Sequence, residues 1–217
     1  MNHIYCISGF GADERTFSRL DFNGNYLHFI PWQIPEEDER MESYALRMSK
    51  SIDHENPVLL GLSFGGMMCI EIAKIIDPIK VIIISSIKTY HELPGWMRLS
   101  GALKLDKIFP MRTFRIIEPL ENHNLGIETK EELQLVRTYR RNVSQQYTNW
   151  AIHQIINWKN EWKPKTLFHI HGGKDHIFPI RNIKADFVIP DGGHFMIMNR
   201  SNKVNSLLKK ILEAEND

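Results

Sequence analysis

Three polar residues in this chain are of the types that together perform nucleophilic catalysis. Ser63 lies in the segment GLSFG, Asp175 in HGGKDH and His194 in DGGHF. A serine hydroxyl is a weak nucleophile unless a base removes its proton, and that base needs a third group to orient it. Histidine and aspartate are suited to these two supporting roles. The chain therefore carries a candidate for the nucleophile, the base and the orienting acid.

The segment around Ser63 has the composition of a sharp turn from a strand into a helix. The apolar run VLLGL precedes the serine, and the helix-like stretch FGGMMCIEIAKII follows it. Gly61 and Gly65 stand two residues to either side, which removes side-chain clashes around a strained serine backbone. The start of the helix would direct free N–H groups toward an anion formed at the serine. A plain glycine-rich turn and a phosphate-binding turn are the alternative interpretations.

Six short apolar runs alternate with helix-like stretches: HIYCIS (3–8), YLHFIP (26–31), VLLGLS (58–63), VIIISS (81–86), LFHIHG (167–172) and DFVIPD (186–191). Runs that are apolar almost throughout are typical of parallel strands covered by helices on both faces. We therefore predict an α/β fold with a doubly wound, mostly parallel sheet of about six strands. Ligands bind such sheets at the carboxyl ends of the strands, where Ser63, Asp175 and His194 are expected.

Residues 88–165 interrupt this alternation, because they contain helical patterns and no strand pattern. Since the strands resume afterwards, we predict a single domain over 1–217 with a helical cap at 88–165 inserted within it. The cap holds four of the five tryptophans. Most of these should pack the cap onto the core, but some could line a pocket. The candidate substrate-binding residues are Trp96, Met97, Phe114 and Trp150.

The charge of the chain is unevenly distributed. Residues 88–165 hold thirteen Lys and Arg against eight Asp and Glu, so the cap is basic although the whole chain has a formal charge of only +1. Arg137, Arg140 and Arg141 lie within helical reach of one another. They form either a solvated helix face or a patch that steers an anionic or carrier-bound acyl substrate. The sequence contains no recognisable nucleic-acid-binding module, so no nucleic-acid partner is predicted.

The composition is that of an ordinary globular protein, with 42% hydrophobic and 24% charged residues. Cys6 and Cys69 lie in apolar segments without metal-like spacing, which indicates buried, reduced thiols and a cytoplasmic location. The N-terminal segment lacks the features of a signal peptide. No apolar run approaches the roughly 18 residues that a membrane span requires.

With serine, aspartate and histidine in this chain order, the sequence resembles the α/β-hydrolase superfamily over essentially its whole length. The resemblance rests on the conjunction of GLSFG, HGGKDH and DGGHF rather than on any one of them. It implies that Ser63, Asp175 and His194 form a catalytic triad. It also implies a serine hydrolase acting on carboxylic esters or thioesters through an acyl-enzyme, with a small acyl compound as substrate.

The resemblance also implies a role for the segment ISGFGADERTF, which follows the first strand. It corresponds to the family's oxyanion loop, so the backbone N–H of Phe10 is expected to join that of Phe64 in binding the oxyanion. Ser8 departs from the pattern, since the family often has histidine there. The loop's supporting hydrogen bonds therefore have to differ from those of the family.

Several alternatives stay open at this point. The triad could serve as an acid–base set for elimination or C–C bond cleavage, or the chain could be a non-catalytic small-molecule receptor. Asp191 is a second candidate for the acid, although an aspartate before Gly-Gly is typical of a turn. A metal cluster could be formed by His169, His171 and His176, but no cysteine or carboxylate set accompanies them. We predict no metal and no cofactor.

Overall fold

One sheet of six parallel strands is the centre of the computed structural model, which describes residues 1–104 and 118–214 of the 217. The strands are β1 (His3–Ile7), β2 (Tyr26–Phe29), β3 (Val58–Leu62), β4 (Lys80–Ile84), β5 (Leu167–Gly172) and β6 (Phe187–Ile189). Their order across the sheet is β2-β1-β3-β4-β5-β6, and every neighbouring pair is parallel. The predicted six-stranded parallel sheet is confirmed.

The described residues also contain eight α-helices: α1 (Met41–Ser49), α2 (Phe64–Ala73), α3 (Gly95–Ala102), α4 (Glu118–Leu125), α5 (Lys130–Asn142), α6 (Gln145–Asn157), α7 (Met196–Asn199) and α8 (Ser201–Glu213). The apolar spacing in ADERTFSRL (12–20) predicts a helix, but this segment forms only the short 3-10 helix Glu14–Phe17. The residues after it form tight turns, in which the N–H groups of Ser18 and Leu20 donate to carbonyls three residues back.

Apolar side chains cover both faces of the sheet, which explains why the strands consist mostly of apolar residues. In β1, Tyr5 and Ile7 point into a core shared with α1 and α2, whereas Ile4 and Cys6 point into a second core shared with α8. Burying one such aliphatic side chain contributes about 1.5–3 kcal/mol. A polar residue in the middle of β1 or β3 would forfeit that contribution on one face or the other.

Helices α3 to α6 lie in the chain between β4 and β5, and side-chain caps mark the starts of α5 and α6. At the start of α5, the Thr129 hydroxyl accepts a hydrogen bond from the Glu132 N–H, and the Glu132 carboxylate accepts one from the Thr129 N–H. This capping box satisfies N–H groups that a helix start otherwise leaves unbonded. From α6, Tyr147 and Ala151 enter the first core. These contacts hold the helical segment against the sheet.

Cys6 and Cys69 are buried and free, and burial raises the pKa of both thiols, so neither has the character of a reactive thiolate. Among the described residues, no helix combines the length and apolar character needed to cross a membrane.

Candidate active site

Ser63 connects β3 to α2 at the carboxyl edge of the sheet, in a backbone conformation that few side chains adopt. Its φ of 53° and ψ of −119° lie in the left-handed half of conformational space. A Cβ atom at Gly61 would lie 2.4 Å from the Gly65 carbonyl oxygen, and one at Gly65 would lie 2.2 Å from the Ile7 carbonyl oxygen. Only glycine fits at both positions, so the flanking glycines allow the turn that exposes the serine.

Two hydrogen bonds to the end of β4 hold the Ser63 backbone in this turn. The Ser63 N–H donates to the Ile84 carbonyl at 2.9 Å, and the buried Ser86 hydroxyl donates to the Ser63 carbonyl at 2.7 Å. A Cβ atom at Gly66 would lie 2.5 Å from the Ser86 Oγ, so that glycine makes room for the hydroxyl. Sequence reasoning missed Ser86, although a serine pair ending an apolar strand was the available signal.

The side chains of Ser63, His194 and Asp175 form a continuous line of hydrogen bonds. Ser63 Oγ lies 2.9 Å from His194 Nε2, and His194 Nδ1 lies 2.8 Å from Asp175 Oδ2. Because a carboxylate oxygen can only accept, Nδ1 carries the proton and Nε2 presents its lone pair to the serine hydroxyl. The arrangement has the polarity required for proton transfer from Ser63 to His194.

Asp175 follows β5 in a loop that fixes its carboxylate. Oδ1 accepts hydrogen bonds from the Ile177 N–H at 2.8 Å and the Phe178 N–H at 2.9 Å, which leaves Oδ2 facing His194. The alternative acid, Asp191, lies elsewhere. It pairs with Arg200 and Lys203, and these cations lower its pKa to about 2. Of the two candidates, the structure brings Asp175 to the histidine.

Two buried histidines of β5 extend this line behind Asp175. His171 Nε2 lies 2.8 Å from the Phe178 carbonyl oxygen and 3.5 Å from Asp175 Oδ2, so it carries a proton that it donates. His171 Nδ1 then accepts from His169 Nε2 at 3.1 Å. Both ring nitrogens of His171 are therefore engaged, which argues against the metal cluster considered for this segment. Its third proposed member, His176, has its ring against His123 instead.

The buried position of His169 predicts a specific loss of stability in acid. Burial, together with the adjacent His171, holds the pKa of His169 well below its ordinary value. Below about pH 6.5 the unfolded chain binds a proton at this residue and the folded chain does not. The contribution of His169 to the free energy of unfolding should therefore be fully present above about pH 6.5. Below about pH 6.5 it should fall by about 1.4 kcal/mol per pH unit.

Urea unfolding at a series of pH values between 7.5 and 5 measures this slope. His169→Gln retains a side-chain N–H for His171 but cannot titrate, so its unfolding free energy should depend less steeply on pH. His91→Gln removes an exposed histidine and serves as the matched control. Equal slopes for wild type and His169→Gln would contradict the prediction.

The loop after β1 lies beside Ser63 and is braced by two side chains. The Ser8 hydroxyl donates to the Ala12 carbonyl at 2.6 Å, and the Trp32 indole N–H lies within hydrogen-bonding distance of both Ser8 Oγ and the Gly9 carbonyl. A Cβ atom at Gly9 would lie 3.6 Å from the Ser63 Cβ. Ser8 and Trp32 thus supply the hydrogen bonds that support the loop in the absence of a histidine at position 8. The sequence analysis did not single out Trp32.

The two predicted oxyanion donors, Phe10 and Phe64, belong to the segments that follow β1 and β3. Phe10 belongs to the braced loop, and its side chain is 38% exposed. Phe64 is the first residue of α2, so its N–H has no partner four residues back within that helix. The Phe64 ring stacks on Trp32 with 5.0 Å between centroids, which ties the helix start to the loop.

A cavity of about 310 Å³ opens beside Ser63 and His194. The loop after β1, the turn at Ser63 and the segment between β4 and β5 all contribute to its walls. Over residues 1–104 and 118–214 the lining is largely apolar and comprises Gly9, Phe10, Gly11, Ala12, Leu62, Ser63, Glu121, Asn124, Leu125, Val136, Tyr139, Arg140, Val143, Thr148, Ile152, Ile177, His194 and Phe195. The cavity is thus a compartment for an apolar group next to the serine hydroxyl.

The side chains predicted to line a pocket lie elsewhere or outside the described residues. Among the described lining residues, none is Trp96, Met97 or Trp150. Trp96 is 65% exposed, and Met97 packs against the first core. The Trp150 indole N–H donates to the Glu39 carbonyl at 2.7 Å, which anchors α6. This corrects the expectation for these three residues, whereas Phe114 lies outside the described residues.

The arginines considered for substrate steering are engaged in contacts within the segment itself. Arg137 pairs with Glu118 at 2.6 Å, and Arg140 pairs with Glu121 at 3.1 Å. Arg141 is exposed and bonds to the Arg137 carbonyl. Two of the three positive charges are therefore compensated by adjacent carboxylates. This weakens the electrostatic attraction of an anionic substrate that the sequence suggested.

Comparisons with known proteins extend the description of the fold. No protein-family model and no curated protein matches the chain. A thermophilic esterase from Thermogutta terrifontis is 16% identical, with 98% of this chain and 89% of that chain covered and a TM-score of 0.74. MenH from S. aureus is 17% identical, with coverages of 98% and 93% and a TM-score of 0.74. An epoxide hydrolase from Bacillus megaterium is 12% identical, with coverages of 99% and 94% and a TM-score of 0.70. These structural similarities establish a shared fold alone, because the sequence identities are low.

Proposed function

We propose that this chain, which has the α/β-hydrolase fold, is a serine hydrolase that cleaves carboxylic esters, and thioesters of similar acyl groups. The observation that carries the proposal is the line of hydrogen bonds from Ser63 Oγ through His194 to Asp175, at 2.9 Å and 2.8 Å. This line ends at a cavity large enough for a small acyl group. A receptor would have no need of a base aligned on the serine.

Acylation follows from the proton positions. His194 Nε2 takes the proton of the Ser63 hydroxyl as Oγ attacks the acyl carbon, and Asp175 stabilises the imidazolium that forms. The carbonyl oxygen of the substrate becomes an oxyanion, which in this proposal accepts hydrogen bonds from the N–H groups of Phe10 and Phe64. One such donor is typically worth about 3 kcal/mol of barrier. His194 then gives its proton to the leaving alcohol or thiol, and the acyl group stays on Ser63.

Deacylation repeats these roles with water as the nucleophile. His194 removes a proton from a water molecule, whose oxygen attacks the acyl carbon of the Ser63 ester. The second tetrahedral oxyanion uses the same two N–H groups. Collapse of this intermediate returns the proton to Ser63 Oγ and releases the carboxylic acid. No cofactor enters this sequence of steps.

The cavity indicates the class of acyl group. Its volume of about 310 Å³ lies at the lower end of ligand pockets, and apolar side chains such as Leu125, Val136 and Ile152 form much of its wall. Arg140 reaches the same cavity, but Glu121 compensates its charge. An uncharged, short apolar acyl chain therefore suits the site better than an anionic one. In this proposal the helical segment 88–165 acts as the cap that selects the acyl chain.

A panel of acyl esters tests the proposed function. Nitrophenyl esters of unbranched acids of increasing length, with matched thioesters, should be hydrolysed with kcat/KM highest for the short apolar chains. Succinate half-esters of matched length serve as the anionic comparison and should react more slowly. Absence of turnover on every ester and thioester by folded protein would overturn the proposal, and preference for the half-esters would overturn the assignment of the acyl group.

A further inference from the structure

Three histidines lie close together near the amino ends of β1 and β3, whereas Ser63 follows the carboxyl end of β3. His3 begins β1, His28 lies in β2 and His54 lies in the loop before β3. Each offers a ring nitrogen, and the three nitrogens all lie within 4.8 Å of one another. All three side chains are partly buried, so they remain accessible from solvent. The cluster is about 16 Å along β1 from the loop at Ser8, at 3.3 Å per residue, and is therefore separate from the proposed active site.

The contact between His3 and His28 is one that a metal ion can replace. His3 Nδ1 lies 2.9 Å from His28 Nε2, and in the neutral rings a single proton joins the two nitrogens. Nitrogens bound to one tetrahedral Zn²⁺ at 2.0–2.1 Å lie about 3.3 Å apart. A metal ion in place of the proton would thus require the two rings to separate by only a few tenths of an ångström.

The neighbours of His54 determine which of its ring nitrogens carries the proton. The Tyr5 hydroxyl donates to Asp53 Oδ1 at 2.6 Å. His54 Nδ1 lies 2.6 Å from the Tyr5 oxygen and 2.9 Å from Asp53 Oδ1. Since the tyrosine proton is already engaged, Nδ1 must carry a proton of its own to avoid facing two acceptors. The lone pair of neutral His54 is then on Nε2.

A carboxylate that accepts from one imidazole nitrogen is the usual partner of a metal-binding histidine. It fixes the tautomer and the orientation of the ring, and it makes the other nitrogen a better ligand. Asp53 and the Tyr5 hydroxyl stand in this relation to His54. The cluster therefore contains three candidate ligands and a group that orients one of them.

We propose that His3, His28 and His54 bind a divalent transition-metal ion of the Zn²⁺ class, with solvent water as the remaining ligand. Imidazole nitrogens suit such ions, whereas Ca²⁺ and Mg²⁺ require oxygen ligands. The rings of His3 and His54 lie face to face, with 3.5 Å between centroids. Binding turns one of them toward the shared centre, which partly exposed side chains can do without movement of the strands.

The position of the cluster indicates what the metal does. The β2 strand is at the edge of the sheet and pairs only with β1 among the described strands. An ion held by β1, β2 and the loop before β3 links these three segments. It should raise the Tm of the protein, because a ligand that binds only the folded state stabilises that state. Metal binding should leave kcat for esters unchanged, since the proposed catalytic groups lie at the carboxyl ends of the strands.

Zn²⁺ titration of the chain without a polyhistidine tag tests this proposal. Calorimetry should detect one equivalent of Zn²⁺, and His28→Gln and His54→Gln should each weaken its affinity by more than 100-fold. Asp53→Asn should weaken it by about 10-fold to 100-fold, the range typical when the partner of a histidine ligand is removed. Co²⁺ should give the visible absorption of a tetrahedral ion in wild type and not in His28→Gln or His54→Gln.

The exposed residue His91 supplies the control, and His91→Gln should bind Zn²⁺ as wild type does. Circular dichroism establishes that each variant is folded before titration. Failure of the wild type to bind Zn²⁺ would overturn the proposal and leave the cluster as a stack of neutral rings. Wild-type affinity in His28→Gln would also overturn it. Neither result bears on ester hydrolysis, which the panel of substrates measures separately.

Discussion

Replacement of Ser63 by alanine is expected to lower kcat for ester hydrolysis by about 10⁴-fold to 10⁶-fold. In the proposed mechanism the variant loses the atom that forms the acyl-enzyme, while the Phe10 and Phe64 N–H groups and the cavity are retained. Some acceleration over water should remain for that reason. Alanine is the suitable replacement, since it tolerates the φ of 53° at this position no worse than serine does.

Two measurements make this result specific to the nucleophile. A fluorophosphonate probe should label wild type at Ser63, as established by mass spectrometry of the modified peptide, and should not label Ser63→Ala. Ser206→Ala, which removes an exposed hydroxyl from α8, should retain both labelling and kcat. Turnover by Ser63→Ala close to the wild-type rate would exclude the acyl-enzyme and favour use of His194 and Asp175 as an acid–base set.

Replacement of Asp175 by asparagine is expected to lower kcat by about 10⁴-fold. An amide of the same shape can present its N–H to His194 Nδ1, which stabilises the tautomer with its proton on Nε2. That tautomer faces Ser63 with a donor instead of a lone pair, so it cannot accept the serine proton. The amide also lacks the negative charge that stabilises the imidazolium.

Asp191→Asn is the matched control for this substitution. Both aspartates lie within the same part of the sequence, but Asp191 pairs with Arg200 and Lys203 rather than with His194. Its kcat should therefore stay within a few-fold of wild type, while some stability is lost with the ion pairs. A large loss of kcat in Asp191→Asn together with a small loss in Asp175→Asn would reverse the assignment of the acid.

The sheet was predictable because its strands carry their own signal. Apolar side chains are needed on both faces of a buried parallel strand, so each run in the sequence records its environment directly. The turn at Ser63 was predictable for a similar reason, since Gly61 and Gly65 are required by contacts within a short segment and the adjoining strand. The short 3-10 helix at Glu14–Phe17 was not, because local turn bonding overrode the apolar spacing there.

The pocket could not be derived from the sequence. Tryptophan and methionine in a helical segment pack against the core or face a cavity according to the orientation of each helix, and periodicity gives no orientation. Trp150 illustrates this, because its indole N–H is engaged by the Glu39 carbonyl and its ring packs against Tyr44. The cavity is lined instead by ordinary residues such as Val136 and Ile152, whose types carry no functional signal.

The fold and the candidates Ser63, Asp175 and His194 could be predicted from sequence, because the carboxyl ends of the strands of a parallel sheet meet at one edge. The choice between Asp175 and Asp191 required the folded structure, since proximity in the chain to a histidine does not specify which carboxylate reaches its Nδ1. Only the tertiary structure brought together His3, His28 and His54, which lie far apart in the chain. Side-chain contacts between distant segments depend on strand order and register, and no local pattern encodes these.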